Sequence, residues 1–122
     1  MRSNTEIQSA FRLDVVKMIL DGHPEKALHK LAIHYKVKEP DLRVGTIKRY
    51  RKVLGVYVRK ERRIYVSRSD LLTNPFVILH EFYHHLRASR SPMNEQVENR
   101  ADSFALSYVR MYKKYSNDQQ KT

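Results

Sequence analysis

Apolar residues recur at helical spacing in the first third of the chain. One face is predicted from Ile7, Ala10, Phe11, Val15, Met18 and Ile19. Thr5–Gln8 matches a capping box, and Gly22 is typical of a helix end. A second helix is predicted from Pro24 to about Tyr35, before Pro40 breaks the pattern. Its buried face consists of Leu28, Leu31, Ala32 and Tyr35.

The pattern changes from helical spacing to short β-branched and aromatic runs after residue 42. Val53–Val58 and Ile64–Val66 are such runs, and the charged residues Arg59–Arg63 lie between them. This arrangement predicts a hairpin, with an earlier strand near Arg43–Tyr50. Three short antiparallel strands would form a small sheet.

Helical patterns return in the last third. Asn74-Pro75 is a strong helix start, and that helix is predicted to run to about Ala88. Ser91-Pro92 indicates a second start, with a helix to about Lys114. An apolar face is formed by Val97, Ala101, Phe104, Tyr108, Met111 and Tyr115. We therefore predict an α+β fold of two N-terminal helices, a small antiparallel three-stranded sheet and two C-terminal helices, as one domain over residues 1–115 with a short polar tail at 116–122.

Composition excludes several chemistries. The chain has 122 residues and no cysteine, which excludes disulfides, cysteine-based zinc sites and a thiol nucleophile, and which fits a reducing compartment. The longest apolar run, Phe76–Leu79, is far too short to span a bilayer, and no apolar run follows the charged N-terminus. We therefore expect a cytoplasmic protein with no membrane segment.

Positive charge is concentrated in the middle of the chain. The formal net charge is +11, which favours contact with polyanions or acidic partners. Between Leu42 and Arg68 only Glu61 is acidic, whereas ten residues are basic: Arg43, Lys48, Arg49, Arg51, Lys52, Arg59, Lys60, Arg62, Arg63 and Arg68. Two interpretations stay open: a solvated sheet edge protected from aggregation, or a patch that binds nucleic acid or an acidic substrate.

The motif that carries chemistry is His80-Glu81-Phe82-Tyr83-His84. Two histidines four residues apart on a helix lie one turn apart on the same face and can bind one metal ion. Glu81 lies beside them and can act as a base on water. On a helical wheel this face is separate from the apolar stripe of Leu79, Phe82, Tyr83 and Leu86. A catalytic zinc site needs three protein ligands, an open position and such a carboxylate.

The last helix offers the third ligand. Glu98 and Asp102 share a stripe with Ala105 and Val109, which is unusual for a surface face and natural if the stripe packs on the histidine helix. Glu98 would then complete a His, His, Glu ligand set. Asp102 could accept a hydrogen bond from the outer nitrogen of a ligand histidine. Glu95 is the rival third ligand, and the residue four positions after it is not a carboxylate.

Other polar residues near the motif have plainer interpretations. We expect His85 to be a solvent-facing or rim residue. Tyr108, Tyr112 and Arg110 could approach the cleft and stabilise an oxyanion, but Tyr108 lies on the core stripe and none of the three is assigned a catalytic role. If the zinc were structural, a fourth protein ligand would be needed, and His85 and Glu95 are the candidates.

The motif His80-Glu81-Phe82-Tyr83-His84, followed by Glu98-Asn99-Arg100-Ala101-Asp102, resembles the gluzincin clan of zinc metallopeptidases. The small size and element order resemble the soluble archaeal minigluzincins. The resemblance covers about residues 74–112. It implies zinc on His80, His84 and Glu98, Glu81 as general base and acid, and Asp102 as support for a ligand histidine. It also implies a cleft-rim strand that pairs with the substrate backbone, for which Ile64–Ser67 is the expected counterpart.

We therefore expect a zinc-dependent endopeptidase that acts on peptides or unfolded proteins. Minigluzincins resemble latent enzymes, so a terminal segment or self-association could block the cleft. Glu98–Ala105 is also similar to a stretch of the peptidases that cleave phage-type repressors, which makes a regulatory repressor-cleaving peptidase an alternative. The alternative from another class is a basic nucleic-acid-binding module with a structural zinc.

Overall fold

The computed structural model describes residues 3–47, 52–88 and 95–120. These residues contain four α-helices and three short strands. In chain order they are α1 (Asn4–Leu20), α2 (Pro24–Tyr35), β1 (Asp41–Val44), β2 (Gly55–Val58), β3 (Arg63–Val66), α3 (Pro75–Arg87) and α4 (Glu95–Gln120). The predicted α+β class and the order of helices and sheet are confirmed. Within the described ranges, no helix has the length and apolar character that a membrane crossing requires.

Local capping chemistry determines where the helices begin and end. α1 is capped by Ser3, whose side chain accepts a hydrogen bond from the Glu6 N–H at 3.2 Å. The predicted cap at Thr5 is wrong, because Ser3 and Glu6 present the same capping pattern two residues earlier. Gly22 has a φ of 88° and follows α1 as predicted. At α3, the side chain of Asn74 accepts from the Val77 N–H at 3.2 Å and Pro75 is the first helical residue, which confirms that start.

The sheet is mixed, not antiparallel throughout. Its strand order is β1-β3-β2; β3 pairs antiparallel with β2 and parallel with β1. The hairpin of β2 and β3 is confirmed, but the first strand lies at Asp41–Val44, earlier than predicted. The connection over residues 45–54 allows this order, since ten residues easily cover the roughly 10 Å across two strand spacings. β3 therefore occupies the position between β1 and β2, paired on both sides.

The core lies where α1, α2, α3, α4 and one face of β3 meet. Side chains with 0% exposure come from all of these elements: Val15, Ile19, Leu28, Leu31, Ile64, Val66, Ile78, Leu79, Phe82 and Ala105. The predicted faces of α2 and of α4 are largely confirmed. Ile7 is the exception in α1, since it is 53% exposed near the helix start. No residue of α3 is fully exposed, which is unusual for a helix that carries His80, Glu81, His84, His85 and Arg87.

The last helix is longer than its pattern suggested. α4 runs to Gln120, beyond the predicted end near Lys114, so much of the segment assigned to a polar tail is helical. The predicted start at Ser91-Pro92 lies outside the described residues. A 26-residue helix is about 39 Å long. It contacts α3 near its beginning and also packs along α1.

A buried pair of hydroxyls ties α2 to α4. Tyr35 and Tyr108 lie with their oxygens 2.6 Å apart, and Tyr108 is only 1% exposed. Burial raises the pKa of both hydroxyls, so both stay protonated. One hydroxyl donates and the other accepts, which satisfies two polar groups in an apolar setting.

Removing one partner of this pair should cost more than removing both. Tyr108→Phe leaves the Tyr35 hydroxyl without its partner, and we expect the free energy of unfolding to fall by about 1–3 kcal/mol. Tyr35→Phe with Tyr108→Phe should recover part of that loss, because no unsatisfied polar group is then left. Urea denaturation of the single and double variants measures the coupling. Additive losses in the double variant would contradict the pairing; Tyr112→Phe, on the same helix, is the matched control.

Candidate metal centre

The helix α3 places His80, Glu81 and His84 together at the base of a cleft. His80 and His84 are one turn apart, with ring centroids 5.0 Å apart. The sequence predicted a face apart from the core, but His84 and Glu81 are only 6% and 7% exposed. Both are buried because α3 contacts α4 on one side and β2 on another. The side chains of His84 and Glu81 are therefore positioned by the packing of α3 against α4 and β2, and they are largely shielded from solvent.

The helix α4 brings a carboxylate to the two imidazoles. Ala101 and Ala105 are fully buried on the face of α4 that belongs to the core, and such small side chains permit close helix approach. Glu98 and Asp102 lie on the neighbouring stripe and are about half exposed. The predicted packing of this stripe on the histidine helix is confirmed by their contacts with His80 and His84.

Three ligand atoms converge on one point. The Nε2 atoms of His80 and His84 are 3.3 Å apart, and the Glu98 carboxylate oxygens lie 3.2 Å and 2.8 Å from them. For bonds of about 2.0–2.1 Å around a tetrahedral zinc ion, neighbouring ligand atoms are about 3.3 Å apart. The measured separations therefore fit a small tetrahedral cation. Among the described residues, this is the one group of three or more such side chains close enough to hold a metal ion.

Asp102 lies on the outer side of His80. Its Oδ1 is 2.9 Å from Nδ1 of His80, the nitrogen that does not face Glu98. This Nδ1 is shielded from solvent, although the contact is not aligned as a linear hydrogen bond. A carboxylate at this position favours the tautomer with a proton on Nδ1, which leaves the Nε2 lone pair free for a metal. The predicted position of Asp102 behind a ligand histidine agrees with this geometry.

The protonation of His84 also suits metal binding. Burial lowers its pKa and the nearby His80 lowers it further, whereas the Glu98 carboxylate acts in the opposite direction. The pKa stays below its ordinary value, so the imidazole of His84 is neutral at pH 7. A neutral imidazole is the form that donates its lone pair to a metal ion.

Glu81 is a buried acid next to the ligand group. Burial raises its pKa to about 8, and the negative charge of Glu98 adds to that rise. The backbone N–H of Tyr57 donates a hydrogen bond to the carboxylate and opposes the shift. Glu81 is therefore a proton-carrying group at neutral pH, and a nearby cation would favour its ionised form.

The strand β2 forms the wall opposite Glu81. Gly55 approaches α3 so closely that a Cβ atom there would lie 3.0 Å from Val77 Cγ1 and 3.3 Å from Glu81 Cγ. The expectation that Ile64–Ser67 forms the cleft rim is wrong, because β3 is the central strand and its backbone is paired on both sides. β2 is an edge strand and takes that position.

The cleft has a volume of about 470 Å³ and a mostly apolar lining. The polar residues of its lining are Tyr57, His80, Glu81, His84 and Glu98. The apolar residues are Val53, Leu54, Gly55, Val56, Phe76 and Val77. Val53 and Leu54 are 42% and 48% exposed, which is high for side chains of this type, and both are accessible to an apolar ligand.

The remaining candidates from the sequence lie away from the ligand group. His85 is half-buried, not solvent-facing: its Nδ1 is 2.7 Å from the Tyr57 hydroxyl and its Nε2 is 2.6 Å from the Lys38 carbonyl. Both nitrogens are thus engaged, and His85 is not a fourth ligand. Tyr108 is a core residue, and of Tyr108, Tyr112 and Arg110 none is among the described residues that line the cleft. The side chain of Glu95, the rival ligand, lies outside the described residues.

Sequence reasoning missed Gly55 and Tyr57. A glycine inside an apolar strand pattern is a known sign of close backbone approach, so Gly55 could have been singled out. Tyr57 gave no comparable signal, because its role depends on which residue of α3 lies against it. No protein-family model matches the chain, and neither a curated protein nor a solved structure matches it. The chemistry of the site therefore has to follow from these side chains.

Glu81 should destabilise the metal-free protein at alkaline pH. The folded state holds a proton on Glu81 up to about pH 8, whereas the unfolded chain releases it near the ordinary value of 4.5. The contribution of Glu81 to stability is therefore most favourable below pH 4.5, and it is lost as the pH rises from there to about 8. Glu81→Gln removes the penalty and should raise the free energy of unfolding by on the order of 3 kcal/mol above pH 8, with little gain at pH 5.

Urea denaturation of the wild type and of Glu81→Gln, with a metal chelator present and at several pH values, measures this difference in the free energy of unfolding. Glu25→Gln removes an exposed carboxylate from α2 and serves as the matched control, with no pH-dependent gain expected. A gain from Glu81→Gln that is equal at pH 5 and pH 8 would show that the buried charge is not the cause.

Proposed function

We propose that this protein is a zinc-dependent peptidase of the gluzincin type, with His80, His84 and Glu98 as metal ligands and Glu81 as general base and acid. The observation that carries the proposal is that the ligand atoms of His80, His84 and Glu98 lie within 4.8 Å of one another, in a cleft that is also lined by the buried carboxyl group of Glu81 and by the edge strand β2. Each part has a use in peptide hydrolysis. A zinc ion bound there would polarise the scissile carbonyl and lower the pKa of water to about 7.

The residues of the chain would share the remaining work. Glu81 takes a proton from the attacking water and delivers it to the leaving amine as the carbon–nitrogen bond breaks. Asp102 holds the imidazole of His80 in one tautomer and orientation. The edge of β2 that faces away from β3 offers backbone groups to an extended peptide, apart from the Tyr57 N–H, which donates to Glu81. The apolar lining of the cleft takes side chains next to the scissile bond.

A structural metal site is less well supported. Such a site wants four protein ligands, and the ligand group has three among the described residues, with both nitrogens of His85 used elsewhere. Glu81 would also have no role in it. An open metal position beside a base is the arrangement that catalysis needs, so the enzymatic interpretation is preferred over a nucleic-acid-binding module with a closed zinc site.

Metal binding should depend on Glu98 and not on Glu95. The native protein is expected to take up one zinc ion per chain, and Glu98→Gln should abolish tight binding because one of three ligands is lost. Asp102→Asn should weaken affinity by about 10–100-fold without changing the stoichiometry. Titration calorimetry measures both values. Glu95→Gln is the matched control; loss of zinc in that variant, with binding kept in Glu98→Gln, would reverse the ligand assignment.

Hydrolysis should depend on Glu81 while zinc binding does not. Glu81→Gln keeps the size of the side chain and removes the proton-accepting oxygen, so we expect full zinc content and a fall in peptide cleavage of at least about 100-fold. Cleavage of an unfolded protein, followed by mass spectrometry with the zinc content measured in parallel, makes the test. Wild-type turnover by a zinc-loaded Glu81→Gln protein would eliminate the proposed mechanism.

A further inference from the structure

A second concavity lies beside the cleft and shares Tyr57 with it. It has a volume of about 470 Å³, and its charged lining residues are Lys38, Arg59, Lys60 and Arg62. We call it the basic pocket. His85 also lines it, and no acidic side chain does among the described residues. The proposed hydrolytic mechanism makes no use of this feature.

The charges of the basic pocket are not neutralised by the protein. All four cationic residues are exposed, and none takes part in an ion pair within the described part of the chain. The acids next to these cations in sequence have other partners. Glu39 lies 2.8 Å from Nδ1 of His29, and Glu61 accepts hydrogen bonds from Arg63 and from the Tyr65 hydroxyl, at 2.9 Å and 2.6 Å. A cluster of cations without counter-charges attracts an anionic group from solution.

The cationic field reaches the residue that the two pockets share. Burial raises the pKa of Tyr57, while Arg62 and Arg59 oppose the rise. Both arginines therefore act on the hydroxyl of Tyr57. An anion held in the basic pocket would thus lie next to the wall of the cleft.

The backbone leads directly from the cleft into the basic pocket. Gly55 lies against Glu81, Tyr57 borders both cavities, and Arg59 follows β2 immediately. Strand residues advance by about 3.3 Å, so the step from Gly55 to Arg59 is about 13 Å. An extended peptide that pairs with the edge of β2 would therefore reach the pocket two to four residues from the position beside Glu81.

A hydrogen-bond bridge fixes the wall between the two cavities. The Lys38 carbonyl can only accept, so the proton of a neutral His85 is on Nε2, and Nδ1 accepts from the Tyr57 hydroxyl. The bridge joins β2, α3 and the segment that follows α2. Pre-formed walls reduce the entropy lost when a ligand binds, which is typical of a specificity pocket.

We propose that the basic pocket is a substrate subsite for a carboxylate, so that the enzyme prefers peptides with apolar residues at the scissile bond and an acidic residue two to four positions away. This inference rests on the proposed peptidase function. A peptide is favoured over nucleic acid because the four cations surround one cavity at the end of the cleft. Nucleic-acid binding would instead need charges that follow a backbone.

The test uses two sets of extended peptides that are identical except for glutamate or glutamine about three residues from an apolar pair. With the zinc-loaded protein, kcat/KM should favour the glutamate set by about fivefold or more, since an exposed ion pair is worth up to about a fivefold factor and more than one cation contributes. The preference should shrink as salt is raised, because the charges are exposed. The double variant Arg59→Gln/Arg62→Asn should bring the ratio close to one; asparagine is chosen because residue 62 has a φ of 51°.

The matched control is Lys113→Gln/Lys114→Gln, which removes the same net charge from exposed positions on α4 and should keep the preference. Binding of both peptide sets to Glu81→Gln, followed by fluorescence anisotropy, gives a readout that does not require turnover. If the wild type cleaves neither set but still binds glutamate peptides better through Arg59 and Arg62, the peptidase function fails and the anionic subsite stands.

Equal cleavage and equal binding of the two sets would overturn the subsite and leave the peptidase intact. The subsite is also overturned if the arginine variant loses affinity for single-stranded DNA while glutamate and glutamine peptides bind alike. In that case the basic pocket serves nucleic acid. Failure of both peptide sets to bind Glu81→Gln would overturn it as well.

Discussion

The close packing of α3 between α4 and β2 is the constraint on which the rest of the structure depends. On the α4 side, buried alanines bring a carboxylate within reach of two imidazoles. On the β2 side, a glycine lets the strand contact the helix at Glu81. Each contact both contributes to the core and sets a distance between polar groups. The same contacts therefore determine both the core packing and the geometry of the site. The helix α3, which contributes Val77, Ile78, Leu79 and Phe82 to the core, also carries two of the candidate metal ligands.

The site concentrates negative charge in a strongly positive protein. The chain carries 24 lysines and arginines against 13 acids, yet the carboxylates of Glu98 and Asp102 both lie against His80, and Glu81, which holds its proton in the metal-free protein, lies close to them. At the three candidate ligand atoms, these nearby carboxylates contribute more to the electrostatic potential than distant lysines and arginines do. The reason is that exposed charges are screened over about 8–10 Å in physiological salt. The protein can thus attract a cation at one place and an anion at another, with Tyr57 close to the boundary between them.

Local signals in the sequence predicted the helices and the grouping of His80, His84 and Glu98. Pairing between distant segments limited what could be predicted of the sheet and the cleft. Asn74-Pro75 and Gly22 act on the backbone next to them in sequence, so the helix ends that they indicated are found in the structure. The stripe of Glu98 and Asp102 was informative because polar residues among small apolar ones need a partner. The strand order could not be predicted, since β1 pairs in parallel with β3, which is separated from it in the chain by β2. For the same reason the cleft wall was assigned to β3 and not to β2. The partners of His85, which was expected to be a solvent-facing or rim residue, could not be predicted either.

Because of Gly55, the positions along the cleft wall differ in the substitutions that they can accept. Any larger side chain at this position would push against Val77 and Glu81, so it would displace the proposed base before it altered the proposed choice of substrate. Its neighbours Val53, Leu54 and Val56 line the cleft without that constraint. Evolutionary divergence or laboratory selection for new cleavage preferences would therefore act on the flanking valines and leucine, while the glycine stays fixed. The wall thus combines one position that leaves no room for a side chain with a surface on either side that can change. Under the proposed function, this separation would let specificity change while Glu81 stays in place.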